Sequence, residues 1–159
     1  MDFRPINVCN VVYKIISKVL ANRLKSMLPY IIDESQSAFV RGRLIFDNIL
    51  VAHETIHTTK SMRWGKTGWL ATKLDMSKAY DKIEWDYLEG VMRTLGFLER
   101  WIGLIMACVR TVTYSVVING KQSGHITPSR GLRQVDPLSP YLFLFYAERL
   151  VNLIKHTGK

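Results

Sequence analysis

Cysteine is nearly absent from the 159 residues: Cys9 and Cys108 are the only thiols and form no CxxC pair. That excludes a disulfide framework and a thiolate zinc site, and it fits a reducing compartment. Long apolar runs are missing as well. The longest, WIGLIMACV and YLFLFYA, fall well short of the ~18–20 residues a membrane span needs, so no span is expected. The opening MDFRPINVCN lacks the charged-then-apolar order of a secretory signal, and Asp2 argues against an organelle transit peptide. There is no internal repeat, low-complexity tract or interdomain linker. Acidic residues are few, 13 against 22 Lys and Arg.

Hydrophobic residues make up 48% and charged residues 22%, the balance of a globular protein rather than a disordered one. The length suits a single domain with one core. A net charge of +9 attracts polyanions through long-range field and counterion release. Nucleic acid is the natural partner, and a surplus that only solubilises is the alternative.

Apolar positions Val11, Val12, Ile15, Ile16, Val19, Leu20, Leu24 and Leu28 recur at three- and four-residue spacing, predicting an amphipathic helix over residues 10–28, capped by Asn10 and ended with help from Pro29. Lys14, Lys18, Arg23 and Lys25 lie between them. Residues 33–48 read as a loop, with a helix from about Asp47 to Lys60. Lys60, Arg63, Lys66 and Lys73 mark a basic loop. Alternation in WLATKLD predicts a strand ending at Asp75. Helices are expected over about 84–95 and 99–109, and a hairpin about Asn119-Gly120. Ser139-Pro140 opens a last helix running to about Lys155. Helices, one strand, helices, a hairpin and a helix in that order imply an α+β fold.

The segment KLDMSKAYDKIEW carries the clearest chemistry. A carboxylate at the end of a buried strand can hold Mg²⁺ beside phosphate oxygens, because Mg²⁺ favours hard oxygen ligands. On these residues alone, a turn-opening or capping role is the more economical reading of Asp75.

Four segments, FRPINVCNVVYKIISKVLANRLK, QSAFVRGRLIFDNIL, KLDMSKAYDKIEW and RGLRQVDPLSPYLF, resemble successive motifs of the reverse transcriptase of LINE-type, non-LTR retrotransposons, most of all those of plant genomes. The resemblance covers essentially the whole chain. It implies a partial right-hand polymerase fold, fingers from about 1–70 and an incomplete palm from about 71–159. It also implies an RNA template, a DNA primer and deoxynucleoside triphosphates as partners, with two Mg²⁺ ions as cofactor. Asp75 would be a catalytic metal ligand, joined by the backbone carbonyl of Met76. The amides of Lys78 and Ala79 would face the triphosphate, and Tyr80 would be the steric gate against a 2′-hydroxyl. Arg4 would clamp the triphosphate, Gln134 would contact nucleotide and template, and Arg41 and Arg43 would touch template phosphate. A nuclear, intracellular setting follows from the same resemblance.

The sequence departs from that family in several places. The aromatic-x-Asp-Asp hairpin that completes the metal pair does not follow RGLRQVDPLSP within these residues, nor does a thumb. The expectation is a partial or decayed reading frame, catalytically incomplete, for which a non-catalytic nucleic-acid-binding remnant is the alternative. Val135 replaces the family's glycine, and a β-branched residue there would be strained if φ is positive. Arg41 replaces a proline. His53-Glu54-Thr55-Ile56-His57 fits H-E-x-x-H, the pattern of a zinc hydrolase, but no His-x-x-Gly-x-x-His extension follows, and Glu84 or Glu89 would have to supply a third ligand.

Overall fold

The computed structural model describes residues 9–61 and 72–157. The first helix, α1 (Val11–Ile31), starts where expected: the Asn10 side chain accepts a hydrogen bond from the amide of Val12 at 2.9 Å, satisfying one of the free N–H groups of the first turn. Pro29 does not end α1 but sits inside its last turn. Proline there forfeits one intrahelical bond while its fixed φ still suits a helix. The helix stops at Ile32, which turns extended (φ −93°, ψ 130°) while its amide still bonds Leu28 at 2.9 Å. Leu20, Leu24 and Leu28 are buried, whereas Val11, Val12, Ile15, Ile16 and Val19 are exposed. Only the C-terminal half of the expected apolar stripe reaches the core.

Next comes α2 (Ile45–Ser61), which begins two residues earlier than its pattern suggested and buries none of its side chains. A short 3-10 turn (Tyr80–Lys82) leads into α3 (Trp85–Thr94) and α4 (Glu99–Arg110). The hairpin pairs β1 (Tyr114–Ile118) with β2 (Lys121–Ile126) in antiparallel register, Ile118 opposite Lys121. Asn119 and Gly120 both take positive φ, 50° and 77°, as a two-residue hairpin turn that follows the strand twist requires. The chain then enters α5 (Ser139–Thr157).

α3 packs on α4 and α5, and α1 touches both α4 and α5. Their apolar faces meet around Leu24, Leu88, Met92, Ile105, Leu142 and Phe145, all essentially without exposure. Helices and a small sheet together are compatible with an α+β class. The expected strand 69–75 is a correction. Residues 69–71 lie outside the described residues, and 72–76 form no strand, with Leu74, Asp75 and Met76 exposed. A strand needs a ladder partner, and among the described residues the only two strands pair with each other.

Candidate nucleotide and nucleic-acid site

The turn at 77–79, in which Lys78 takes φ 53°, feeds the 3-10 turn through a bond from the Asp81 amide to the Lys78 carbonyl at 3.0 Å. Backbone from fifty residues later is strapped onto it. The Gly131 amide donates to Ile83 at 2.7 Å, the Leu132 amide to Tyr80 at 2.8 Å, and Trp85 Nε1 to the Gly131 carbonyl at 2.8 Å. Glycine is required at 131: φ is +89°, and a Cβ would lie 3.1 Å from the Asp81 carbonyl oxygen. Segments 75–83 and 130–136 are thereby joined into one surface. The Tyr80 ring stacks on Phe143 of α5, centroids 5.3 Å apart and planes at 21°. Burial pushes its phenol pKa up.

Beyond Gly131 the loop is held at both ends. The Arg133 guanidinium lies 4.3 Å over the Tyr13 ring and 5.8 Å from that of Tyr114, and it donates to Cys9 Sγ at 3.2 Å. Buried Asp136 accepts from the Leu138 amide at 3.0 Å through Oδ1, and from the Tyr13 hydroxyl through Oδ2. Burial, then the Asp136 bond, raise the Tyr13 phenol. Burial and Asp136 likewise raise the Cys108 thiol. Between these anchors Gln134 is half-buried, and Val135 is 77% exposed at φ 65°. The valine therefore does occupy the left-handed region. Tyr13, Arg133 and Asp136 escaped the sequence reading because no local pattern links Tyr13 to a carboxylate 123 positions away.

Asp75 and Met76 are exposed, and Asp75 has no hydrogen-bond or ion-pair partner among the described residues. Nor do the described residues bring together three or more His, Cys, Asp or Glu side chains that could hold a metal. Arg4 lies outside the described residues. Arg41 is exposed, but Arg43 is turned inward: its guanidinium donates to the carbonyls of Gln36 at 2.7 Å, Ile32 at 3.1 Å and Asp33. His53, Glu54 and His57 lie exposed on α2. Glu84 is paired with Arg130 at 3.2 Å and Glu89 with Arg110 at 2.7 Å, and among the described residues no third zinc ligand joins the two histidines.

A family model described as reverse transcriptase (RNA-dependent DNA polymerase) matches residues 1–158. The chain belongs to the reverse transcriptase family. This reverse transcriptase segment is 30% identical over 156 residues to the Transposon TX1 uncharacterized 149 kDa protein of Xenopus laevis, covering 97% of the chain and 12% of that protein. It is 29% identical over 154 residues to the retrovirus-related Pol polyprotein from type-2 retrotransposable element R2DM of Drosophila melanogaster, covering 96% and 14%. A 39-residue stretch is 59% identical to the uncharacterized mitochondrial protein AtMg01250 of Arabidopsis thaliana, 24% of this chain and 32% of that one. The chain thus spans 12% and 14% of the two longer relatives. Relatives from transposable elements agree with the non-LTR retrotransposon resemblance.

Proposed function

We propose that this segment is the nucleotide-facing wall of an RNA-directed DNA polymerase, with fingers drawn from about 1–70 and palm from about 71 onward. The observation that carries the reading is the strap of Gly131 and Leu132 onto Tyr80 and Ile83, which makes one surface from two segments far apart in sequence. On that surface the Tyr80 ring, backed by Phe143, is a flat floor for a deoxyribose, and a 2′-hydroxyl would collide with it. The amides of Lys78 and Ala79 donate no hydrogen bond among the described residues, which leaves them for phosphate oxygens. Gln134, on the loop held by Arg133 and Asp136, would meet the base pair being formed. Arg4 would serve the triphosphate, and exposed Arg41 rather than inward-turned Arg43 is the better phosphate contact.

Reverse transcriptases use divalent metal ions, and Asp75 with the Met76 carbonyl would be this segment's ligands. Among the described residues no group of three or more His, Cys, Asp or Glu side chains gathers at exposed Asp75, and a two-ion site needs more than one carboxylate, because two such ions repel and require shared anionic ligands. On this reading residues 1–159 alone bind nucleic acid without extending a primer.

Two measurements test this. Anisotropy of a labelled RNA template with annealed DNA primer should report binding that weakens at least about tenfold between roughly 50 and 200 mM salt, as even two or three phosphate contacts demand. Binding that stays flat over that range contradicts the reading. Incubation with Mg²⁺ or Mn²⁺ and deoxynucleotides should give no primer extension; extension that vanishes in Asp75→Asn would overturn the claim of incompleteness.

A further inference from the structure

We propose that the exposed face of α2 carries a two-histidine site for a borderline divalent cation such as Ni²⁺ or Zn²⁺, formed by His53 and His57, and that the bound ion staples the helix. Both residues lie within Ile45–Ser61. A separation of four in an α-helix makes them neighbours on one face, their Cβ atoms about 5–6 Å apart, a span that one ion ~2.0–2.1 Å from each imidazole nitrogen can bridge. Both side chains are exposed, and neither imidazole has a hydrogen-bond partner among the described residues. The ligands are free to take up an ion.

α2 buries no residue. Seven of its 17 residues are β-branched, a composition that disfavours helix when no packing compensates. Among the described residues, apart from Asn48, which bonds the Ser35 carbonyl at 2.9 Å, its side-chain hydrogen bonds go to its own backbone: Thr55 to Val51, Thr59 to Thr55 and Ser61 to His57. An ion that requires the helical register of His53 and His57 adds its binding free energy to helix formation. Two charges bear on the site. Glu54, adjacent to His53 and three before His57, favours a cation nearby, and Lys60, three beyond His57, opposes it.

With two protein ligands, the remaining coordination positions would hold water. The site is thus a structural chelate and not the hydrolase that H-E-x-x-H suggests. Its chemistry also separates it from any polymerase ion, because Mg²⁺ prefers oxygen ligands and borderline ions accept imidazole.

The test is a titration of residues 1–159 with nickel chloride and with zinc chloride, followed by calorimetry and far-ultraviolet circular dichroism. The expected result is one ion per chain and a gain in helicity over the metal-free protein, with no response to magnesium chloride. His53→Ala and His57→Ala should each lose the helicity gain; metal-free spectra check that these exposed substitutions leave the fold intact. Spacing gives a control of geometry. In the His57→Ala background, Ile56→His restores a same-face pair three apart and should recover the gain, whereas Thr58→His, five from His53, should not. Absence of binding, binding with no helicity change, or binding equally strong in either alanine variant would overturn the proposal.

Discussion

Val135 holds a backbone angle, φ 65°, that a β-branched residue pays about 1–3 kcal/mol to adopt. The angle persists because Arg133 and Asp136 pin the loop on either side, through Tyr13, Tyr114, Cys9 and the Leu138 amide. Val135→Gly should therefore stabilise the fold by roughly 1–3 kcal/mol, seen as a higher denaturant midpoint at unchanged slope. A lower midpoint would mean that the valine's contacts outweigh its strain. Tyr13 gives a prediction in pH. Its phenol is raised above the usual ~10 by burial and by Asp136, so the folded state favours the neutral form. The stability this supplies is fully present below about pH 10 and is lost as pH rises above it. Tyr13→Phe should flatten that alkaline loss. At neutral pH it should cost about 1–3 kcal/mol, because a buried Asp136 oxygen loses its donor.

Elements were legible where the information is local. The Asn10 cap, the Asn119-Gly120 turn and the Ser139-Pro140 start of α5 all lie within a few residues of what they specify. The expected strand was not legible over its described residues 72–75, because alternation says which faces a segment would present but not whether a ladder partner exists. Tyr80 and Gln134 were legible as motif residues; the Gly131 strap that joins their segments was not, since it depends on the approach of Asp81 from fifty residues away. The loop after α1 gives the contrast that tests this distinction. Arg41 and Arg43 look alike in sequence, yet Arg43 is spent on the carbonyls of residues 32, 33 and 36. That loop is further tied to α5, where buried Glu148 accepts the Asp33 amide at 3.1 Å and Lys155 pairs with the Asp33 carboxylate. Arg43→Ala should lower stability by about 1.5–3 kcal/mol, the scale of charged hydrogen bonds, and speed amide exchange at residues 33–36. Arg41→Ala should leave stability unchanged and weaken primer-template binding. The reverse pattern would show that Arg43 is the phosphate contact.

At the scale of the whole molecule, charge and topology point the same way. A surplus of nine positive charges supplies attraction to nucleic acid but no geometry. The helical core of α1, α3, α4 and α5 supplies the frame on which two distant segments meet at Tyr80 and Gly131. The ion-paired surface of α3 and α4, where Arg93 and Arg110 are matched by Glu89, Glu99 and Asp86, has its charges already satisfied and offers phosphate little. The most direct measurement is an amide chemical-shift map of residues 1–159 with an RNA template, a DNA primer and the next complementary deoxynucleotide. The account predicts the largest changes at Lys78, Ala79, Tyr80 and Gln134. Changes confined to the paired charges of α3 and α4, or none at Tyr80 and Gln134, would contradict it.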